Sequence, residues 1–238
     1  MGDTFELEVL AEMPNYYDWI METFAPFVHG RVVEYGAGTG TVLERIAPLS
    51  DNLILVEPSE ELRAALRKKF QHRSTIEIVG DSLEKHSAGI GDSTVDVVVL
   101  VNVLEHIEDD RCALTQLFRI LRPGGHLLIF VPALQVLMSK LDLMFGHFRR
   151  YSRTELACKV MEAGGDVVVC RYFDFLGTLP WLVLNKLLGA TSFNPRLVQI
   201  NDRLIVPISR AAERVVSPPF GKNVILVARK HQLGTAWS

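Results

Sequence analysis

The chain has 238 residues, 48% of them hydrophobic, and a formal net charge of −3 from 25 basic and 28 acidic side chains. That composition excludes a disordered chain and suits one sizeable core. The near-balance of charge gives no general case for nucleic-acid binding.

The N-terminal MGDTFELEVLAEMPNYY is acidic and lacks an apolar h-region, so no signal peptide is expected. Gly2 lacks the Ser or Thr at position six that myristoylation wants. Residues 15–30 then predict a helix ended by Pro26 and Gly30, and 31–36 a short buried strand. A helix is expected over 41–49, stopped at Pro48, and a second strand over 52–58. Ser59 followed by Glu60 and Glu61 reads as the N-cap and first turn of a helix over 59–71. Residues 75–81 predict a third strand. The Val/Leu run within 93–103 predicts a fourth, buried on both faces. A helix is expected over 108–125, closed by Pro123-Gly124-Gly125, before a fifth strand over 126–133. Ser152 or Thr154 caps a helix over 152–165, followed by a sixth strand over 166–173 and a seventh over 222–230.

Strand and helix alternate throughout, which predicts a Rossmann-like, doubly wound α/β sheet covered on both faces. No linker or repeat interrupts it, so residues 1–238 are expected to form a single domain. Residues 174–220 are too many for a loop and predict a helical insertion or cap. The apolar stretch Tyr172–Ala190 is broken by Asp174, Pro180, Asn185 and Lys186, which argues against a transmembrane helix. Its helical spacing suits a lid over a substrate or a homodimer surface. Three separated cysteines, Cys112, Cys158 and Cys170, offer neither a zinc spacing nor a disulfide framework and fit a reducing, cytoplasmic setting.

The first strand runs into VVEYGAGTG, with glycines at 36, 38 and 40. A dinucleotide turn wants G-x-G-x-x-G, but its third position here is Thr41, a poor fit to close pyrophosphate approach. This argues against an NAD-dependent oxidoreductase. Glu34 precedes the turn, Glu57 ends the second strand and Asp81 the third. Open α/β sheets bind ligands at that carboxyl edge, and an acid at the second strand end can hold both ribose hydroxyls.

The segments VVEYGAGTG, LVEPS, GDSLE, VDVVVLVNVLEHIEDD and LRPGGHLLIFVP, in that order, resemble the successive motifs of class I S-adenosylmethionine-dependent methyltransferases. The resemblance covers nearly the whole chain. It implies a seven-stranded sheet of order 3-2-1-4-5-7-6, its last strand antiparallel, with an N-terminal lid helix. It implies S-adenosylmethionine as cofactor and S-adenosylhomocysteine as product. It also implies cofactor contacts at Tyr17, Glu34, Gly36, Ala37, Gly38, Gly40, Glu57, Pro58, Asp81, Ser82, Leu83, Asn102 and Val103. Tyr16, Tyr17 or Trp19 would close over the sulfonium, because aromatic faces attract cations. The cofactor carries no phosphate and has a cationic methionine end, so Glu34 beside the glycines is not repelled by it.

Methyl transfer is an in-line displacement whose electrophile is already activated, so alignment and exclusion of water are the protein's main tasks. His106, just past the fourth strand, is the candidate base for a hydroxyl acceptor. A second cluster, GHFRRY, carries His147, Arg149, Arg150 and Tyr151, and a similar stretch occurs in one bacterial branch of the family. Arginine's fork matches a carboxylate. The expected activity is O-methylation of a small anionic metabolite, with Arg149 and Tyr151 on the site and Trp181 lining it. Rivals are O-methylation of a sugar or lipid-linked glycan, C-methylation, and a non-catalytic protein that binds the cofactor. No metal site is expected: Asp109 and Asp110 are adjacent and point different ways on a helix.

Overall fold

The computed structural model describes residues 9–231. The expectations for the signal peptide and for Gly2 lie outside the described residues.

Seven strands form one sheet: β1 (Arg31–Tyr35), β2 (Asn52–Val56), β3 (Ile76–Val79), β4 (Val95–Val101), β5 (Leu121–Pro132), β6 (Gly165–Phe173) and β7 (Asn223–Lys230). Their order is β3-β2-β1-β4-β5-β7-β6. β1 to β5 pair in parallel, and β7 runs antiparallel to both β5 and β6. The strand order implied by the family resemblance is therefore the observed one.

Period-two alternation divides the core into two layers. Val33, Tyr35, Ile54, Val56, Val98, Leu100, Leu127 and Ile129 face one side. There they meet Leu114, Leu117 and Phe118 of α5 (Asp110–Ile120) and Leu156 and Val160 of α7 (Arg153–Glu162). Val32, Leu53, Leu55, Val97, Val99, Leu128 and Phe130 face the other side. They are covered by Trp19 and Ile20 of α1 (Pro14–Phe24), Leu43 of α2 (Leu43–Ile46) and Leu66 of α3 (Glu60–Phe70). Both faces are dry, which is why β4 can be almost continuous valine.

Several expected elements shift. The helix expected over 108–125 ends at Ile120, and Leu121–Gly125 already belongs to β5. Pro123 disfavours helical geometry at Arg122. Leu121 pairs with Val95, and after an irregularity the ladder resumes at Val97 with His126. A Cβ on Gly125 would lie 2.8 Å from the Asp96 carbonyl oxygen, so the strands approach closely only with glycine there. The helix expected over 41–49 shrinks to α2 followed by a 3-10 turn, Ala47–Leu49, around Pro48. Two short helices had no expectation: α4 (Leu83–Gly89), capped by Ser82, and α6 (Lys140–Met144), capped by Ser139. Both are too short for a periodic signal.

The segment between β6 and β7 is helical. α8 (Thr178–Pro180) runs into a π-wound segment, Trp181–Leu187. Then α9 (Pro195–Ile200), a second π-wound segment (Asn201–Ile205) and α10 (Val206–Val215) follow. π-wound turns are rare and often found at functional sites. This layer is tied to α1. The buried Asp202 accepts from the backbone N–H groups of Asn15 (3.3 Å) and Tyr16 (2.9 Å), at the otherwise uncapped start of that helix. Glu22 of α1 pairs with Arg210 and Arg214 of α10. No helix among the described residues is long and apolar enough to cross a membrane.

Candidate active site

The carboxyl ends of β1 to β4, with α1 and the helical layer above them, enclose a cavity of about 810 Å³. At one end lies the glycine turn. Gly36 has φ +67° and Gly38 φ +53°, a region that L side chains rarely adopt. A Cβ on Gly36 would also lie 2.5 Å from the Val103 Cγ2 atom. Gly38 has open space at its Cα, so the backbone itself faces the cavity. Gly40 instead packs against Leu66 and Phe70 and does not line the cavity.

Three carboxylates sit around this end in different states. Glu57 is buried, and both its oxygens are held: Oε2 accepts from Gly38 N–H (3.0 Å) and Oε1 from Ser59 N–H (2.9 Å). Asp81 is half-buried and pairs with Lys85 at 2.5 Å. Glu34 is buried with no hydrogen-bond partner at Oε2. Burial first, and the Glu57 charge second, push its carboxyl up to about 8. A buried acid without a partner is costly unless a cation or donor arrives. Asn102 adopts φ +53° just after β4, a left-handed position asparagine tolerates, and it also lines the cavity. Tyr17, Ala37, Pro58, Ser82, Leu83 and Val103 line it too. Tyr16 lines it with its hydroxyl donating to Asn223 Oδ1 (2.9 Å), whereas Trp19 is core.

These residues fit S-adenosylmethionine. The orphaned Glu34 oxygen suits a cationic methionine end. The Glu57 carboxylate, fixed by two backbone donors, keeps lone pairs for ribose hydroxyls. The exposed glycine backbone admits close approach.

The other end is built from β4, β5 and the loop after α6. Glu105 and His106 lie in the 3-10 turn Leu104–His106 that follows β4. His147 reaches the cavity from the loop after α6, and the backbone N–H of Phe148 donates to the Glu105 carbonyl (2.9 Å), joining the two segments. The His106 and His147 rings meet edge to face with centroids 4.7 Å apart. Burial, and then His147, hold the His106 imidazole down to about 4, so it is neutral at pH 7. Glu105 is fully buried, neither of its oxygens has a hydrogen-bond partner, and burial pushes it up to about 8.

Behind this floor lies the fully buried Asp142. It accepts from Ser139 (2.7 Å) and Arg150 (2.9 Å) and bonds the His147 Nδ1 atom (2.9 Å). Burial opposes its ionisation, but these partners outweigh burial and hold the acid down to about 2.

The GHFRRY arginines fall differently from expectation. Arg149 and Tyr151 face away from the cavity and converge on Asp110, at 2.8 Å each. Arg150 faces the cavity, its guanidinium 4.6 Å from the Trp181 ring centroid and paired with Asp142. The reason is local. Tyr151 joins a parallel bridge to Ala133 after β5, so the backbone there is extended, and alternate residues point to opposite sides.

Trp181, Leu184, Asn185, Phe193 and Leu197 roof this end. Of this roof the sequence pointed to Trp181, but not to Glu105, Lys222 or Asn223, which also line the cavity. Glu105 had a signal: a carboxylate inside a turn at the ligand edge, four residues after the valine-rich strand. Lys222 is already paired with Asp174 (2.9 Å).

The family profile described as "Methyltransferase domain" matches residues 10–168, about two thirds of the chain. An uncharacterised methyltransferase of Mycobacterium tuberculosis is 29% identical over 114 residues, covering 48% of this chain and 43% of that one. A second protein of that organism, named a probable S-adenosylmethionine-dependent methyltransferase, is 28% identical over 158 residues, covering 65% and 56%. The chain thus spans about half the length of the curated relatives it matches. Among solved structures, an S-adenosylmethionine-dependent methyltransferase from Mesorhizobium loti superposes with TM-score 0.62 at 16% identity, covering 88% of this chain and 95% of that one. The N-methyltransferase NodS of Bradyrhizobium japonicum, solved with S-adenosylhomocysteine, gives 0.58 at 14%, covering 90% and 85%. The [4+2]-cyclase SpnF gives 0.62 at 16%, covering 92% and 81%. At such identities these neighbours speak for the fold alone.

Proposed function

The chain belongs to the methyltransferase-domain family, and from that premise we propose that it methylates a neutral hydroxyl on a largely apolar small molecule. Its cofactor is S-adenosylmethionine, which supplies an activated methyl group when bound. Glu34, Glu57, Asp81 and the Gly36–Gly38 backbone would hold it. One domain carries the reaction, with residues 174–220 as the cap over the acceptor.

The observation that carries the acceptor reading is charge. Arg149 turns away, and the two cations that line the cavity near the acceptor are paired, Arg150 with Asp142 and Lys222 with Asp174. The unpaired group at that end is Glu105, with no hydrogen-bond partner for either oxygen, while the neutral His106 beside it is hydrogen-bonded to the backbone of Phe145 and Gly146. An anionic acceptor would find no unpaired cation among these residues. A hydroxyl would find the acceptors its proton needs. The apolar roof of Trp181, Leu184, Phe193 and Leu197 suits the rest of such a molecule and keeps water out.

A second reading has its own observation. Leu179, Leu187, Leu188, Leu204 and Ile208 of the cap are more than half exposed. Exposed apolar side chains on the cap favour an acceptor presented on a lipid carrier.

The test is formation of S-adenosylhomocysteine by the full chain with paired acceptors that differ only in a hydroxyl or a carboxylate. Turnover of the hydroxyl member alone is expected, and the same hydroxyl on a lipid anchor distinguishes the second reading. Methyl-ester products would overturn the proposal. So would folded protein that binds neither S-adenosylmethionine nor its product.

A further inference from the structure

The acceptor end holds three side chains whose arrangement exceeds what hydrogen bonding to a hydroxyl requires. One carboxylate oxygen of Glu105 and one ring nitrogen each of His106 and His147 all lie within 4.8 Å of one another. Glu105 is buried, and neither oxygen has a hydrogen-bond partner. A fully buried acid left without partners marks a missing one. His147 is already oriented as a ligand would be. Its Nδ1 is bound by Asp142 at 2.9 Å, leaving Nε2 free, and Asp142 is itself fixed by Ser139 and Arg150. Metal-bound histidines regularly have their second nitrogen held by a carboxylate in this way. The two contributing segments are joined by the backbone bond from Phe148 N–H to the Glu105 carbonyl.

We propose that Glu105, His106 and His147 bind a divalent transition-metal ion, with the remaining coordination positions open to the acceptor end of the cavity. Two imidazoles and one carboxylate suit zinc, cobalt(II), iron(II) or manganese(II). Ligand bonds of about 2.0–2.2 Å need the three donors somewhat closer than they stand. Magnesium suits the set poorly, because it prefers oxygen ligands and retains water. An acceptor oxygen would take an open position. That role rests on the hydroxyl reading above, whereas the binding of the ion does not. Spacing in the sequence carries no hint of the site, since His147 lies two helices and a strand beyond His106.

The test is titration of metal-stripped full-length protein with Co²⁺ and Zn²⁺, read by calorimetry and by the visible d–d absorption of bound cobalt. One ion per chain is expected, displaced by zinc. Glu105→Gln and His147→Ala should each weaken binding by about tenfold or more, as lost ligands do at least as strongly as lost supporting carboxylates. Arg149→Ala, outside the cavity, should leave it unchanged. S-adenosylhomocysteine binding, measured on every variant, reports that the fold is intact. Protein that binds S-adenosylhomocysteine but no cobalt or zinc at unit stoichiometry overturns the proposal. So does metal binding untouched in both ligand variants. Intact metal binding with methyl-ester products would overturn the acceptor reading alone.

Discussion

The two ends of the cavity are made of different materials. The cofactor end is mostly main chain: the left-handed Gly36 and Gly38, the N–H groups that hold Glu57, and strand ends set in register by the sheet. The acceptor end is mostly side chain: Glu105, His106, His147 and Arg150, with Trp181 contributed by the cap. Main-chain sites are constrained by backbone geometry and admit few sequences. Side-chain sites depend on rotamers fixed by neighbours, and Asp142 does that fixing here. The acceptor end should therefore fail structurally when its support is cut, while the cofactor end should lose ligand affinity and keep its fold.

The largest expected effect follows from that contrast. Arg150→Ala leaves the fully buried Asp142 without its ion pair. Breaking a buried pair from one side costs about 3–5 kcal/mol, read as a lowered midpoint in urea unfolding. The adjacent Arg149→Ala leaves Asp110 its bonds to Tyr151 and Lys159, so a loss nearer 1 kcal/mol is expected. Equal losses in the two variants would erase the distinction between cavity support and outer pairing.

Glu57→Gln tests the main-chain end. The carboxylate's two charge-assisted bonds to Gly38 and Ser59 weaken, as would those to ribose hydroxyls. Charged hydrogen bonds are worth about 1.5–3 kcal/mol, so S-adenosylhomocysteine should bind about 10- to 150-fold more weakly by calorimetry. Unfolding stability should move less than in Arg150→Ala. A variant that unfolds as badly as Arg150→Ala would break the comparison.

The same division explains what the sequence revealed. The alternation of Val, Leu and Ile, the glycines at 36, 38 and 40, and acids at strand ends are local signals, so the α/β architecture and its ligand edge followed from residues close together in the chain, and the sheet order and cofactor from the family resemblance that those motifs carry. The acceptor end depends on which way each of Arg149, Arg150 and Tyr151 points. That is set by the bridge from Tyr151 to Ala133, a pairing between segments. The arginine pair could be seen in the sequence, but the register that sends only Arg150 inward could not. Pro123-Gly124-Gly125 misled for a related reason: its turn chemistry is real, yet pairing of Leu121 with Val95 draws the segment into β5.

The smallest expected effect concerns protons at the cofactor end. Glu34 faces the cavity beside Glu57 and Tyr17, and burial raises its carboxyl from 4.5 to about 8. The folded, ligand-free protein therefore holds this proton more tightly than the unfolded chain. Its contribution to stability is full below about pH 4.5 and is lost as pH rises toward 8. The ligand's ammonium group reverses the preference, since it binds the carboxylate form. Binding should then release a proton. Affinity for S-adenosylhomocysteine should rise by up to about tenfold per pH unit, or 1.4 kcal/mol, between pH 6 and 7.5, below the range in which the ligand's own amino group titrates. Calorimetry in two buffers of different ionisation enthalpy reads the proton directly. In Glu34→Gln the proton release and the slope should both vanish, and the ligand-free protein should lose less stability between pH 5 and 8 than the parent. A slope that survives in Glu34→Gln would mean that another group answers the cation, and the orphaned oxygen at the end of β1 would need a different partner.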